Sequence, residues 1–287
     1  MMPMLPCRRN WIMRRAASLF FFIALMPFVA AAVELPRDFV HAHSGAFSQG
    51  GMVVLHLTDK TKVKLNGAPL PQVDGRTVLG FGRDAKLTQK LEFQRKGKRA
   101  TISLSLKKRR YKIQRIDGLP PAMVTPPEEA WPRIARGSKL KKAARATTSR
   151  HDGFTEGFVW PTKGRVTGVY GSQRFYNGEP RRPHFGIDIA APRGTPVRAP
   201  ASGTVTLAEP DMYFEGGLVF IDHGLSVTSA YMHLDSLKVK VGDKVKRGDV
   251  IATVGSTGRS TGPHLDWRMF WRGARIDPAL LTDGPPN

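Results

Sequence analysis

Short segments of alternating apolar and polar residues, separated by turn-forming residues, run through most of this chain. Residues 50–120 contain GMVVLHL, KVKLNG, TVLGFG, KLEFQRKGKRATISLSL and RYKIQRI, with turn formers such as NGAPLP and RKGK between them. Successive side chains of a strand point to opposite faces of a sheet, so this period of two predicts half-buried strands. We predict a small all-β, sandwich-like domain over residues 33–120.

The segment from residue 157 onward repeats this pattern with more glycine. Its strand-like pieces include HFGIDIAAPRGTPVRAPASGTVTLA, GGLVFIDHG, SVTSAYMHL and PHLDWRMFW. None has the apolar spacing of an amphipathic helix, so residues 157–287 are predicted to form a second all-β domain. The stretch VGDKVKRGDVIATVG resembles the hairpin of lipoyl and biotinyl carrier domains. That resemblance implies a barrel-sandwich arrangement but no swinging arm, because the Met-Lys hairpin tip is absent.

Residues 121–156 are predicted to link the two domains. The segment LPPAMVTPPE (119–128) is dense in proline, and a run rich in Lys and Arg follows between residues 133 and 145. This composition favours a solvated linker helix or tail. A basic patch that contacts an anionic envelope is the alternative.

The N-terminus has the features of an export signal. Four arginines precede the 14-residue apolar run LFFFIALMPFVAAA (19–32), which ends in three alanines. We interpret residues 1–32 as a cleaved signal peptide, because the run is shorter than the roughly 18 to 20 residues of a membrane-spanning helix. An uncleaved anchor is the alternative. A Sec signal is favoured over the twin-arginine type suggested by RRNWIM, and the predicted location is the periplasm or cell envelope.

Charge and cysteine usage indicate the kind of partner. The only cysteine, Cys7, would leave with the signal peptide, so the mature chain is expected to have no disulfide. Removing four arginines and no acidic residue lowers the formal charge from +22 to about +18. We expect anionic cell-envelope polymers as partners, with membrane contact only through the signal peptide. No nucleic-acid-binding motif is present, so nucleic acid is not expected. A solubilising surface is the alternative explanation of the charge.

Histidine and aspartate residues concentrate in the second domain. His264 and Asp266 are two residues apart, so on a strand they share one face about 7 Å apart and can address one centre. His184 and Asp188 can do so only if the chain bends, which Gly186 permits. Imidazole and carboxylate groups are zinc ligands, and catalytic zinc sites have three protein ligands and one open position.

Three ordered segments resemble the signatures of the lysostaphin/LytM family of zinc endopeptidases, which cut peptide cross-links in bacterial peptidoglycan. They are HFGID, YMHL and GSTGRSTGPHLDW, and the resemblance covers residues 157–280. It implies that His184 and Asp188 bind zinc and that His233 and His264 lie beside the attacking water. The third ligand of the family is the second histidine of an H-x-H motif, whose place Asp266 takes here.

Asp266 changes the expected charge of the metal centre. One histidine and two aspartates around Zn²⁺ leave a net charge of zero, whereas the family's ligand set leaves +1, so water should be activated less strongly. One Zn²⁺ per chain is the expected cofactor, with Mn²⁺ as an alternative. The predicted function is an exported zinc metalloendopeptidase that cleaves peptidoglycan stem-peptide cross-links. The alternatives are a catalytically impaired LytM-like module that binds the wall or activates an amidase, and a metal-free binder of anionic polymers.

Several further residues have predicted roles in substrate binding, in turns or in the core. The loop SQRFYNGEPRRP (172–183) is either a solvated loop or a rim whose arginines meet substrate carboxylates. His223, Asp222 and Asp235 are predicted to be turn residues or groups that orient a histidine. GRSTG (258–262) matches the pattern of a serine-hydrolase elbow, but an elbow requires a helix after the serine and a strand is predicted instead. The predicted substrate-binding residues are Arg174, Arg181 and Arg182, and the histidines predicted to be structural are His41, His43 and His56.

Overall fold

The computed structural model describes residues 33–118 and 125–286 of the chain. The predicted signal peptide, with Cys7, lies outside the described residues, as does much of the proline-dense stretch. Residues Val33–Asn287 form one compact unit, and the predicted domain boundaries near residues 120 and 156 stay a prediction. Within the described ranges, no helix is long and apolar enough to cross a membrane.

The N-terminal strands form two small sheets with a common core. One sheet has the order β1-β2-β5 and the other β4-β3-β6-β7, and apolar residues of both belong to one buried cluster. In β6 the alternate residues Gln89, Leu91 and Phe93 are buried, as a period of two requires. The strands are β1 (Val40–Gly45), β2 (Met52–Leu57), β3 (Lys62–Leu65), β4 (Ala68–Pro69), β5 (Arg76–Gly80), β6 (Thr88–Arg95), β7 (Lys98–Ser105) and β8 (Ile113–Ile116).

The C-terminal strands form a ten-stranded sheet and, together with β8, a three-stranded sheet of order β11-β10-β8. The large sheet has the order β17-β14-β15-β16-β19-β12-β9; off this path, β18 pairs with β16, β13 pairs with β18, and β20 pairs with β19. Every residue of β15 is buried. The strands are β9 (Arg165–Gly168), β10 (Gln173–Tyr176), β11 (Glu179–Pro180), β12 (Ile187–Ala190), β13 (Pro196–Arg198), β14 (Gly203–Met212), β15 (Gly216–Asp222), β16 (Val227–Leu237), β17 (Lys244–Val245), β18 (Val250–Val254), β19 (His264–Trp271) and β20 (Ala274–Ile276). The predicted all-β class is confirmed.

The basic segment between the two sets of strands folds as helix α1 (Trp131–Ala146). The linker prediction expected this helix to be fully solvated. Instead, Leu140 and Ala144 pack against a buried cluster that includes Leu207 and Phe220. Lys141 also forms an ion pair with Glu215. Small residues and one leucine make this contact, so the sequence of the helix shows no apolar stripe that would predict it.

The N-terminal part of the chain also contacts the C-terminal strands. Strand β8 pairs in parallel with β10, so that Ile113 lies opposite Gln173 and Ile116 opposite Tyr176. Arg109 Nη2 lies 2.7 Å from the buried carboxylate of Asp277. These contacts place β8 beside the histidine-rich region.

Candidate active site

Three adjacent strands of the large sheet carry most of the candidate residues. Asp188 on β12 lies directly opposite Asp266 on β19, and Met232 on β16 lies opposite Asp266 from the other side. His233 follows Met232 on β16, and His264 begins β19. The sheet register therefore brings residues that are far apart in the sequence to one place.

His184, Asp188 and Asp266 converge on one point. His184 Nε2 lies 3.0 Å from Asp188 Oδ1 and 3.5 Å from Asp266 Oδ2. One ligand atom from each residue lies within 4.8 Å of the other two. A Cβ atom at Gly186 would overlap Asp266 Oδ1, so glycine lets the segment from His184 to Asp188 bend close to β19.

A divalent cation fits this arrangement. The His184 side chain is fully buried, its Nδ1 has no hydrogen-bond partner within the described part of the chain, and its Nε2 faces the carboxylates of Asp188 and Asp266. A buried polar atom without a partner is costly, and imidazole nitrogen with carboxylate oxygen is a donor set that zinc accepts. His184, Asp188 and Asp266 can thus hold a metal ion.

The electrostatics of the three residues are tightly coupled. Burial lowers the pKa of His184, but Asp188 and Asp266 outweigh this effect and raise the pKa overall. Burial raises the pKa of Asp188 and Asp266, yet His184 and neighbouring arginines outweigh it, and the pKa of Asp266 falls well below its usual value. Both carboxylates are therefore ionised at neutral pH, as metal ligands must be.

Each carboxylate is also held by an arginine. Arg174 Nη2 lies 2.8 Å from Asp188 Oδ2. Arg268 donates from Nε to Asp266 Oδ1 at 3.0 Å and from Nη2 to Asp266 Oδ2 at 2.6 Å. The sequence predicted a substrate role for Arg174 and none for Arg268, whereas the structure pairs both with candidate ligands.

His233 and His264 lie side by side with defined tautomers. Their ring centroids are 4.7 Å apart. His233 Nδ1 lies 2.8 Å from the Thr257 carbonyl oxygen, and His264 Nδ1 lies 2.8 Å from the Gly262 carbonyl oxygen. A carbonyl oxygen only accepts, so both Nδ1 atoms carry the proton and both Nε2 atoms can accept one.

The backbone and pKa of His233 suit a catalytic group. Its φ of 63° is in the left-handed region, which few residues other than glycine adopt and which often occurs at functional sites. Burial lowers the pKa of His233, so the ring is neutral at pH 7. A neutral imidazole with a free Nε2 can act as a general base.

A cleft of about 440 Å³ is lined by Asp188, His233, His264 and Asp266. Arg174 lines it, but Arg181 and Arg182 are not among its lining residues. The cleft also contains Gln114, Tyr176, Phe214 and Arg259, which sequence reasoning did not identify. No local motif marks Gln114, because only the pairing of β8 with β10 brings it to the cleft.

Comparison with known proteins gives the family. The model of peptidase family M23 matches residues 182–278. A crystal structure of a putative peptidase M23 from Pseudomonas aeruginosa superposes with a TM-score of 0.64 at 30% identity, over 82% of this chain and 94% of that one. The chain belongs to peptidase family M23.

Curated M23 relatives share part of the chain. Over 117 residues it is 38% identical to the peptidoglycan DD-endopeptidase ShyA of Vibrio cholerae. This stretch covers 40% of this chain and 27% of ShyA. Over 106 residues it is 45% identical to the DD-carboxypeptidase/endopeptidase Mpg of Neisseria meningitidis. This stretch covers 37% of this chain and 24% of Mpg. The chain thus aligns with about a quarter of the length of these two relatives.

Asp222 and Asp235 are not among the residues that line the cleft, whereas Ser260 lines it without the surroundings of a serine-hydrolase nucleophile. Asp222 Oδ1 accepts a hydrogen bond from the Gly224 backbone, as expected of a turn residue. Asp235 pairs with Arg193 instead of orienting a histidine. Ser260 lies in a loop that leads into β19, so the helix of a serine-hydrolase elbow is absent at this place.

His223 is a buried structural histidine whose titration should affect stability. Its ring bonds to the Ser202 carbonyl oxygen at 2.8 Å and to Ser229 Oγ at 2.7 Å, and burial lowers its pKa to about 4. The folded-state pKa lies below the unfolded value of 6.5, so its contribution is full above pH 6.5 and is lost as pH falls towards 4. The loss should reach about 3 kcal/mol.

Urea unfolding between pH 7 and 4 measures this effect. His223→Gln cannot titrate, so its free energy of unfolding should decline less steeply with falling pH than that of the wild type. The partly buried His151, which bonds Thr204, gives a matched control in His151→Gln. Equal pH slopes for wild type and His223→Gln would show that His223 does not titrate in this way.

Proposed function

We propose that this chain is an exported M23 zinc metalloendopeptidase that hydrolyses peptide cross-links of peptidoglycan. The observation that carries the proposal is the convergence of His184, Asp188 and Asp266 beside two histidines whose Nε2 atoms can accept a proton. The peptidoglycan endopeptidases ShyA and Mpg support the substrate class. The apolar run at residues 19–32 supports export to the periplasm or envelope.

One Zn²⁺, held by His184, Asp188 and Asp266, would polarise the scissile carbonyl and make water a stronger nucleophile. Mn²⁺ is the alternative ion, because two carboxylates make the donor set harder than that of the usual site. The cleft beside these ligands has a volume of about 440 Å³. Because His233 and His264 line the same cleft, a bound peptide would lie within their reach.

The two histidines would carry the proton transfers. One Nε2 accepts a proton as the water oxygen bonds to the carbonyl carbon. The other histidine can stabilise the developing oxyanion or protonate the leaving amine as the C–N bond breaks only when it carries a second proton, on Nε2, and the proton taken from water then replaces the one that it gives up. The products are a carboxylic acid and an amine, and the enzyme returns to its starting protonation state. The hydrogen bonds from both Nδ1 atoms to backbone carbonyl oxygens keep the rings in the tautomer that this requires.

Arginines of the cleft would orient the substrate. Arg174 and Arg259 both line it, and the Arg259 guanidinium lies 4.5 Å from the centre of the Phe214 ring. Stem peptides carry carboxylates, which a guanidinium binds through paired hydrogen bonds. The remaining basic surface would favour association with anionic envelope polymers. Arg181 and Arg182 would then act outside the cleft.

Metal content and cleavage together test the proposal. The full mature chain should contain close to one Zn²⁺ per molecule, and it should convert cross-linked muropeptide dimers into monomers. Chelation should stop the cleavage, and stoichiometric Zn²⁺ should restore it. Full metal occupancy without cleavage would instead favour the wall-binding or amidase-activating module, and a metal-free chain that binds anionic polymer would favour the third alternative.

A further inference from the structure

The structure assigns to Arg268 a role that the family pattern does not require. We propose that Arg268 is a positioning residue that enables Asp266 to serve as the third metal ligand in place of histidine. This inference rests on the proposed metal site, although it does not depend on which bond the enzyme cuts.

The contact between Arg268 and Asp266 is a two-point clamp. Nε lies 3.0 Å from Oδ1 and Nη2 lies 2.6 Å from Oδ2, so the guanidinium holds both carboxylate oxygens. Residues two apart on a strand share a face, which places Arg268 beside Asp266 on β19. The Arg268 stem lies against Gly186, where a Cβ atom would overlap Arg268 Cγ. The clamp is therefore fixed at both ends.

The clamp leaves Asp266 able to bind a cation. Asp266 Oδ2 accepts from Arg268 and also lies 3.5 Å from His184 Nε2, on the side where the three ligand atoms converge. Each carboxylate oxygen has two lone-pair sites, so Oδ2 can accept from Arg268 with one and bind a metal ion with the other. Without the clamp, rotation about the Cβ–Cγ bond would turn this lone pair away from His184.

The charge of Arg268 also offsets the second carboxylate. Asp266 is 3% exposed at its side chain and stands opposite Asp188, so two negative charges face each other with little water. Arg174, which pairs with Asp188, adds the same +1 with either third ligand and is left out of both sums; His184, Asp188, Asp266 and Arg268 then sum to −1 when His184 is neutral. A set of two histidines and one aspartate without the arginine also sums to −1. The clamp therefore keeps the charge around the metal at the value of the usual ligand set.

Arginine suits this role better than lysine. Its guanidinium is planar and presents two donors with the spacing of a carboxylate, whereas the lysine ammonium is a single point charge. The Arg268 side chain is 27% exposed and lines the cleft. Positioning and charge can be separated experimentally, because lysine keeps the charge and loses the clamp.

The test measures Zn²⁺ affinity of the full mature chain by competition with a chromophoric chelator. Arg268→Met should weaken Zn²⁺ binding by about 10- to 100-fold, the usual effect of removing a partner that orients a ligand. Arg268→Lys should lie between wild type and Arg268→Met. Arg272→Met is the control, because Arg272 is exposed in the turn after the same strand and does not line the cleft. Its affinity should equal that of the wild type.

A second background shows whether Arg268 acts through Asp266. In Asp266→His the clamp has no carboxylate to hold, so adding Arg268→Met should not weaken Zn²⁺ binding further and should restore the net charge of −1. If Arg268→Met weakens Zn²⁺ binding equally in the wild-type and Asp266→His backgrounds, the proposal is overturned. Tighter Zn²⁺ binding by Arg268→Met would also overturn it, because that result is expected if only the charge of Arg268 matters. If Asp266→His does not fold, the order of the Zn²⁺ affinities of wild type, Arg268→Lys and Arg268→Met still tests the proposal.

The inference and the proposed function can fail separately. If Zn²⁺ binds with the expected order of affinities but no variant cleaves muropeptide dimers, the positioning role stands and the endopeptidase proposal fails. If the wild type cleaves and Arg268→Met binds Zn²⁺ as tightly as the wild type, the positioning role is wrong. A wild type that binds no Zn²⁺ overturns the inference whatever the cleavage assay shows.

Discussion

His184→Ala is expected to remove the metal and reduce cleavage to background. His184 supplies the nitrogen among the three converging ligand atoms, and its side chain is fully buried between Asp188 and Asp266. Alanine leaves two carboxylates without the imidazole that lies between them. A catalytic metal contributes several kcal/mol to transition-state stabilisation, so its loss should cost about 10³-fold or more in rate.

Metal analysis and muropeptide cleavage should be measured on the same samples of His184→Ala. The matched control is His151→Ala, which removes a partly buried histidine that bonds Thr204 and does not line the cleft. The control should keep one Zn²⁺ per chain and nearly all of the activity. A His184→Ala protein that retains both would show that the metal, if it is used, is held elsewhere.

The fold class and the closeness of some candidate residues could be predicted from the sequence because both depend on local spacing. Alternation of buried and exposed residues marks strands such as β6 without knowledge of their partners. His264 and Asp266 share a face for the same reason, and Gly186 marks the bend that brings His184 to Asp188. These features are properties of a few consecutive residues.

The features that could not be predicted from the sequence depend on strand register and on side-chain packing. Gln114 reaches the cleft because β8 pairs with β10, and this pairing joins residues about 60 positions apart. Helix α1 packs through Gly137, Leu140 and Ala144, and one leucine beside two small residues gives too weak an apolar signal to mark a buried face. Arg268 could have been noticed beside Asp266, but in a strand the same spacing is also compatible with an arginine that points to solvent. The role of Arg268 could be assigned once the positions of both carboxylate oxygens of Asp266 were known.

His264→Ala and His233→Ala are expected to slow cleavage without loss of the metal. Both rings offer Nε2 to the cleft, and neither belongs to the set of converging ligand atoms. Loss of a group that transfers a proton typically costs about 10²- to 10⁴-fold in rate, so each variant should lose activity in this range. One Zn²⁺ per chain should remain in both.

The double variant shows whether the two histidines act in one step. Groups that act together in catalysis are strongly non-additive, so His233→Ala/His264→Ala should be only slightly slower than the more impaired single variant. Metal loss in either single variant would reassign that histidine as a ligand. Ser260→Ala provides a further check, since Ser260 Oγ lies 3.2 Å from His264 Nδ1. A greater loss of activity in Ser260→Ala than in His264→Ala would favour serine chemistry, whereas the order expected here places proton transfer on the two imidazoles.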